Sequence, residues 1–68
     1  MTLGERIKLC RKRKGITQAE LARKCGVNRT TINHYEHDIR EPTLLNAMCV
    51  ADALGISLEY LAKGEARK

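Results

Sequence analysis

The sequence predicts an all-α fold, a compact bundle of five short helices that contains a helix-turn-helix. Three observations predict it. Apolar residues recur at a spacing near 3.6 and do not alternate as in a strand, a Ser, Thr or Asn precedes each helical segment, and glycines follow most of them. Because helices this short are marginal in water by themselves, all five must pack around one shared core.

The first two helices begin with capping boxes. Residues 2–5 and 17–20 each place a threonine three positions before a glutamate, so that each side chain can bond to the other's backbone N–H. The first helix is predicted to run to about Lys14 and end at Gly15, and the second to end at Gly26. The predicted inward residues are Leu3, Ile7 and Cys10 in the first helix and Leu21, Ala22 and Cys25 in the second.

The third helix is predicted to follow Asn28, a good N-cap, and to run from Arg29 to about His37. Ile32 and Tyr35 are predicted to face inward from it. Proline disfavours helix at the residue before it, so residues 38–42, which end at a proline, are predicted to form a loop.

The fourth and fifth helices are predicted to begin after Thr43 and Ser57, with Gly55 ending the fourth. The predicted inward residues are Leu44, Ala47, Met48, Ala51 and Leu54 in the fourth helix and Leu58 and Leu61 in the fifth. Residues 64–68 are expected to fray. With no repeats or linkers, residues 1–68 are predicted to form a single domain.

Charge is unevenly distributed along the chain. Residues 1–29 hold nine basic and two acidic side chains, residues 30–68 hold four and six, and the formal net charge is +5. This pattern predicts a basic face suited to nucleic acid, although two tyrosines are too few to stack a single strand. The longest apolar run, residues 47–51, is far too short to cross a bilayer. We therefore expect a cytoplasmic protein that does not bind membranes.

The three cysteines, Cys10, Cys25 and Cys49, are an odd number at irregular spacing, unlike a secreted disulfide framework. Structural zinc sites usually pair cysteines about two to four residues apart, and no such pair accompanies His34 and His37. A chain this short also has little room for an enclosed ligand pocket. No metal, cofactor or small-molecule ligand is therefore expected.

Only Gly26, Val27 and Asn28 separate the second and third helices, which is the spacing of a helix-turn-helix. Glycine can adopt a positive φ in such a turn, and the small side chain of Ala22 lets the two helices approach. Val27 and Ile32 supply apolar contacts beneath the turn. An ordinary αα-hairpin has the same outline, but this combination in a small basic chain favours DNA binding.

These residues resemble the phage Cro/repressor family, the Xre-type helix-turn-helix proteins. The matching segments are 16–22 (ITQAELA), 26–28 (GVN) and 31–36 (TINHYE), then 3–7 with Arg11 and Gly15, then 42–44 and 51–58. The resemblance covers about residues 3–63. It implies a five-helix, lambda-repressor-like domain of a transcriptional regulator that usually acts as a dimer on a palindromic operator.

The third helix would then be the recognition helix, whose N-terminal residues read the major groove. Four polar side chains opposite the inward pair are predicted to contact bases: Arg29, Thr30, Asn33 and His34. Arg29 suits guanine, Asn33 suits adenine and Thr30 suits a thymine methyl, and by resemblance the first two helix positions and His34 match the family's base readers. The alternative for each is a solvated polar side chain.

Phosphate contacts are predicted at helix N-termini and in the loop after the recognition helix. The predicted residues are Thr17, Gln18, Asn28, Thr31 and Arg40, with Gln18 and Arg40 supported by the resemblance. The resemblance also implies a structural ion pair between Arg11 and Glu36 that holds the recognition helix. The alternative for that pair is two unrelated surface charges.

The chain departs from the family at Asp38, where glycine is common, and at Ile39, where a basic residue is common. Asp tolerates the left-handed region better than most residues, so the loop is expected to keep its shape. Leu45, Cys49 and Tyr60 stand where polar residues are common. These three residues are predicted to belong to a homodimer patch.

Three classes of function compete. The first is a sequence-specific regulator of transcription that binds double-stranded DNA, most simply a repressor acting as a homodimer. The second is an antitoxin-like protein-interaction module that also binds DNA, which the short tail after the fifth helix disfavours. The third is an enzyme, which is not expected because no catalytic constellation or pocket is indicated.

Overall fold

The computed structural model describes residues 1–64, which contain five helices and no strand. The helices are α1 (Leu3–Lys14), α2 (Gln18–Cys25), α3 (Arg29–Glu36), α4 (Leu44–Leu54) and α5 (Leu58–Lys63). The all-α prediction is confirmed. Gly64, expected to fray, instead ends α5 in the left-handed region with φ 83°, and the fraying predicted for residues 65–68 lies outside the described residues.

Each helix begins at a side chain that accepts a hydrogen bond from a backbone N–H three residues later, which satisfies a donor that the helix itself leaves unpaired. Thr2 and Thr17 form capping boxes with Glu5 and Glu20. The other caps are Asn28, Thr43 and Ser57. The predicted helix starts are therefore confirmed.

The end of α3 differs from the other helix ends, which are left-handed glycines. Its last helical residue is Glu36, one residue before the predicted end, and His37 follows as its C-cap. Asp38 then adopts φ 59°, and within residues 1–64 it is the only residue other than glycine with a positive φ. The loop thus keeps the left-handed turn that the sequence analysis expected aspartate to tolerate.

The core draws one fully buried aliphatic side chain from each helix: Ile7, Leu21, Ile32, Val50 and Leu61. Burying such a side chain contributes roughly 1.5–3 kcal/mol. Because each helix is too short to persist by itself, the bundle depends on all five contributions together.

The predicted inward face of α4 is partly wrong. Leu44 and Met48, predicted to face inward, are 68% and 48% exposed, whereas Val50, outside the predicted set, is fully buried. The stripe that meets the core consists of Ala47, Val50, Ala51 and Leu54, at helical spacings of three and four. Apolar residues occupy both sides of α4, so their periodicity could not identify the inward side.

The packing of the helices leaves one side of α3 uncovered. α3 packs mainly against α1 and α2, whereas α4 packs against α1, α2 and α5. α3 therefore lies at an edge of the bundle. Within residues 1–64, no helix combines the length and the apolar content needed to cross a bilayer.

Candidate nucleic-acid interface

The turn between α2 and α3 has the geometry that the sequence predicts. Gly26 has φ 71°, and no atom beyond Gly26 and its two chain neighbours lies within 4 Å of the position that a Cβ would take there. Glycine is therefore favoured by the positive φ and not by crowding. The N–H of Val27 donates to the carbonyl of Ala22 at 3.0 Å, and Asn28 Oδ1 accepts from the N–H of Thr31 at 2.9 Å.

α3 has one buried and one accessible side. The buried side chains are Ile32, Tyr35 and Glu36. The four residues predicted to contact bases are accessible: Arg29 and Thr30 are exposed, and Asn33 and His34 are partly exposed. Within residues 1–64 the side chains of these four residues make no hydrogen bond, so their polar atoms are available to an external partner.

The structure brings the predicted pair Arg11 and Glu36 together. Arg11 Nε donates to Glu36 Oε2 at 2.6 Å and Nη2 donates to Oε1 at 3.3 Å. Arg11 Nη1 donates to the carbonyl of Ile16 at 2.9 Å, and Gln18 Nε2 donates to Glu36 Oε1 at 2.9 Å. Both charged residues are buried. The cluster therefore joins α1, α2 and α3 through buried side chains.

Three of the residues predicted to contact phosphate use side-chain atoms inside the protein. Thr31 Oγ1 donates to Asn28 Oδ1 at 3.0 Å, within the N-cap of α3. Gln18 directs its amide nitrogen at Glu36. Each keeps only part of its hydrogen-bonding capacity for an external partner.

The other two predicted phosphate contacts are more available. Thr17 is exposed, and its Oγ1 accepts from the N–H of Glu20 at 3.0 Å. The backbone N–H of Thr17 donates in return to the Glu20 carboxylate, and this hydrogen bond lowers the pKa of Glu20. Arg40 is exposed, and its side chain makes no hydrogen bond to any residue in the range 1–64.

Arg6 is a buried residue whose role the sequence analysis missed. Its Nε donates to the carbonyl of Leu61 at 2.8 Å, Nη1 to that of Met1 at 3.2 Å and Nη2 to that of Ala62 at 3.2 Å. The guanidinium therefore ties α1 to the last turn of α5. Its acceptors are all main-chain carbonyls, so no pattern of side chains marks the contact.

The three residues predicted for a dimer patch do not line one groove. Leu45, 72% exposed, and Cys49 lie one turn apart on α4. Tyr60 is half-buried on α5 and lines a groove with Cys10 and Leu54, whereas Cys49 lines a different one.

Within residues 1–64, no group of three or more His, Cys, Asp or Glu side chains is placed to hold a metal ion.

Comparison with known proteins identifies relatives over nearly the whole chain. A helix-turn-helix family model matches residues 7–61. The chain is 39% identical over 64 residues to the uncharacterized HTH-type transcriptional regulator YqaE of Bacillus subtilis strain 168, covering 94% of this chain and 55% of YqaE. It is 38% identical over 65 residues to the immunity repressor protein of Bacillus phage phi105, covering 96% of this chain and 45% of the repressor. The chain thus spans about half the length of these relatives.

Among solved structures, the c2 repressor of phage P22 in complex with a synthetic operator matches with a TM-score of 0.91 and 37% identity. The match covers 96% of this chain and 98% of that one. These similarities confirm the predicted fold and the resemblance to the Cro/repressor proteins.

Proposed function

The chain belongs to the helix-turn-helix family, and on that premise we propose that it is a sequence-specific regulator that binds double-stranded DNA, a repressor acting as a homodimer on a palindromic operator. The observation that carries the proposal is the accessible side of α3, where four polar side chains have no partner within residues 1–64. Two similar phage proteins are named repressors, and one of them was solved with an operator. The matched family is a class of DNA-binding domain and not of enzyme.

Base recognition is assigned to the first two turns of α3. Arg29 is its first residue, and an arginine there can donate to both O6 and N7 of one guanine. Asn33 can pair in the same bidentate manner with adenine, and the methyl group of Thr30 can contact a thymine methyl. His34 lies on the same accessible side and extends the contact along the groove.

Phosphate binding is assigned to the N-termini of α2 and α3 and to the loop after α3. Thr17 donates its hydroxyl hydrogen and Arg40 its guanidinium to neighbouring phosphates. Asn28 uses Oδ1 in the cap and keeps Nδ2 for a phosphate, while Gln18 keeps its second amide hydrogen. Thr31 contributes chiefly by completing the cap.

The homodimer is assigned to the C-terminal helices, with Leu45, Cys49 and Tyr60 at the interface. A two-fold dimer places its half-sites about 34 Å apart, one turn of the duplex. The repressor acts in the cytoplasm, where its operator lies. Sedimentation at high micromolar concentration, with and without operator, tests the assembly, and a protein that is monomeric in both conditions contradicts it.

Selection from a pool of random duplexes tests the function directly. We expect an inverted repeat to be recovered, because two α3 helices related by a two-fold axis read the same half-site twice. Binding of the recovered duplex should weaken with salt, with a log–log slope of about −0.9 for each phosphate neutralised. A pool that shows no enrichment, or an affinity independent of salt, refutes the proposal.

A further inference from the structure

Asp38 joins the end of α3 to the beginning of α1. Its Oδ2 accepts from Thr2 Oγ1 at 2.6 Å and its Oδ1 accepts from the N–H of Gly4 at 3.0 Å. The first turn of a helix has unpaired N–H groups and a positive dipole end, so it favours a carboxylate. The hydrogen bonds from Thr2 and Gly4 accordingly hold the pKa of the Asp38 carboxyl below its ordinary value.

The two helices approach closely beside this contact. A Cβ at Gly4 would clash with the carbonyl oxygens of Tyr35 and Glu36 and with the carboxylate of Asp38. Only a glycine therefore allows the first turn of α1 to lie against the last turn of α3. The Asp38 carboxylate joins the helices at the place where their backbones meet.

The backbone of the following loop is bonded to the same turn of α3. The N–H of Asp38 donates to the carbonyl of Tyr35 at 3.2 Å, and those of Ile39 and Arg40 donate to the carbonyl of His34 at 2.9 and 3.4 Å. Arg40, the proposed phosphate contact, follows Asp38 by two residues. Its position therefore depends on where Asp38 is held.

We propose that Asp38 is a positioning residue of the DNA interface. Its carboxylate holds the C-terminal end of the recognition helix and the loop that carries Arg40 against α1. A glycine at this position would adopt the same backbone conformation but supply no carboxylate. The inference rests on the proposed function, because the interface it positions is the one assigned there.

A positioning role and a purely electrostatic role for Asp38 predict opposite changes in operator affinity when the carboxylate is removed. A negative charge close to DNA repels phosphate, so its loss would by itself strengthen binding. If Asp38 positions the interface, its loss weakens binding to the operator in spite of the more favourable charge. The sign of the change therefore separates the two roles.

The test compares Asp38→Gly with Glu41→Gln. Asp38→Gly keeps the left-handed backbone and removes the carboxylate, whereas Glu41→Gln removes the same charge from an exposed loop residue whose side chain makes no hydrogen bond within residues 1–64. For Asp38→Gly we expect about a tenfold loss of operator affinity, the effect of one charged hydrogen bond, and a lower ratio of operator to random-duplex affinity. Glu41→Gln should bind as tightly as the parent or slightly more tightly.

A conservative variant separates positioning from stability. Asp38→Asn tolerates the left-handed region and keeps an oxygen that can accept from the N–H of Gly4, so it should recover most of the operator affinity. All variants are compared at a temperature where circular dichroism shows each to be fully folded. Failure of Asp38→Asn to bind more tightly than Asp38→Gly contradicts the proposal.

Amide hydrogen exchange of the free protein supplies a measurement that needs no DNA. Asp38→Gly should lose protection at Gly4, Ile39 and Arg40 while α2 and α4 keep theirs, and Glu41→Gln should show no loss. Unchanged protection, or an operator affinity at or above that of the parent chain, overturns the proposal for Asp38. A parent chain that selects no duplex defeats the proposed function instead, and the exchange data then decide by themselves whether Asp38 fixes the loop.

Discussion

Two buried arginines join α1 to its neighbours in different ways. At the α1–α3 junction, where Arg11 meets Glu36 and Asp38 meets Thr2, the acceptors are side-chain carboxylates. At the α1–α5 junction, Arg6 donates only to main-chain carbonyls. Within residues 1–64, Arg6 forms no ion pair. A single substitution can remove a side-chain carboxylate that accepts these hydrogen bonds, but no substitution can remove a main-chain carbonyl. The junction that supports α3 is therefore the more vulnerable one.

The largest effect is expected from Glu36→Ala. This change leaves the guanidinium of Arg11 buried without a counter-charge and should lower the free energy of unfolding by about 3–5 kcal/mol, measured by urea denaturation. The control is Glu59→Ala, because Glu59 is exposed and lies 3.8 Å from Lys63, a pair worth less than about 1 kcal/mol. Equal small losses in both variants would show that water can replace Glu36 beside Arg11.

Arg6→Met should lower the free energy of unfolding by less than Glu36→Ala does. The methionine keeps much of the apolar stem and removes the donors, so the carbonyls at the end of α5 lose their partners at a cost of about 1–3 kcal/mol. Those carbonyls are neutral and two of the three contacts are only partly buried, so water can reach them. Urea denaturation measures the loss and hydrogen exchange locates it in α5. A loss as large as that of Glu36→Ala would remove the distinction between the two junctions.

Arg29→Ala should leave both junctions intact. The side chain is exposed, so the free energy of unfolding should change by less than about 0.5 kcal/mol. Operator binding should weaken by about 1–3 kcal/mol, with relaxed preference at one base pair, as measured by titration of matched and substituted duplexes. An equal loss on random DNA would show that Arg29 only neutralises phosphate.

Lowering the pH should destabilise the α1–α3 junction by less than Glu36→Ala does, because Asp38 is exposed. The hydrogen bonds from Thr2 and Gly4 lower the pKa of Asp38. A carboxyl whose pKa is lower in the folded state contributes stability above its unfolded pKa, and this stability is lost as the pH falls through the folded pKa. The loss should begin at about pH 4, the ordinary pKa of aspartate.

Urea midpoints between neutral pH and the acid range measure this loss, and Asp38→Asn is the matched control. The parent chain should lose more stability in acid than the variant, since the variant has no carboxyl at this position to protonate. Parallel pH profiles for the two proteins would contradict the role of the charged carboxylate.

The difference between the junctions also explains what could be predicted from the sequence. Helix starts are local, because a cap and the N–H it accepts are three residues apart, so all five could be predicted. The contact between Arg11 and Glu36 joins two side chains, and the resemblance to the Cro/repressor family supplied the pair. Arg6 donates to carbonyls, which every residue has, so the sequence does not reveal its partners.

Two further features depended on packing that the sequence does not show. α3 has only Ile32 and Tyr35 as large apolar residues, so its buried side could be predicted, whereas α4 is apolar on both sides and packing decides that Val50 is buried and Leu44 exposed. The contact of Asp38 with Thr2 joins residues 36 positions apart. No local pattern predicts such a contact.

Gly4 sets a condition for transplanting the recognition helix into another scaffold. A chimera that carries residues 17–40 can seat α3 at the same depth only where the host has glycine at the matching place, because a methyl group there meets the carbonyl oxygens of Tyr35 and Glu36. A host with alanine would hold the grafted helix farther from its support. The outcome of exchanging specificity between two such proteins is thus governed by a residue that belongs to neither the graft nor the proposed operator contacts.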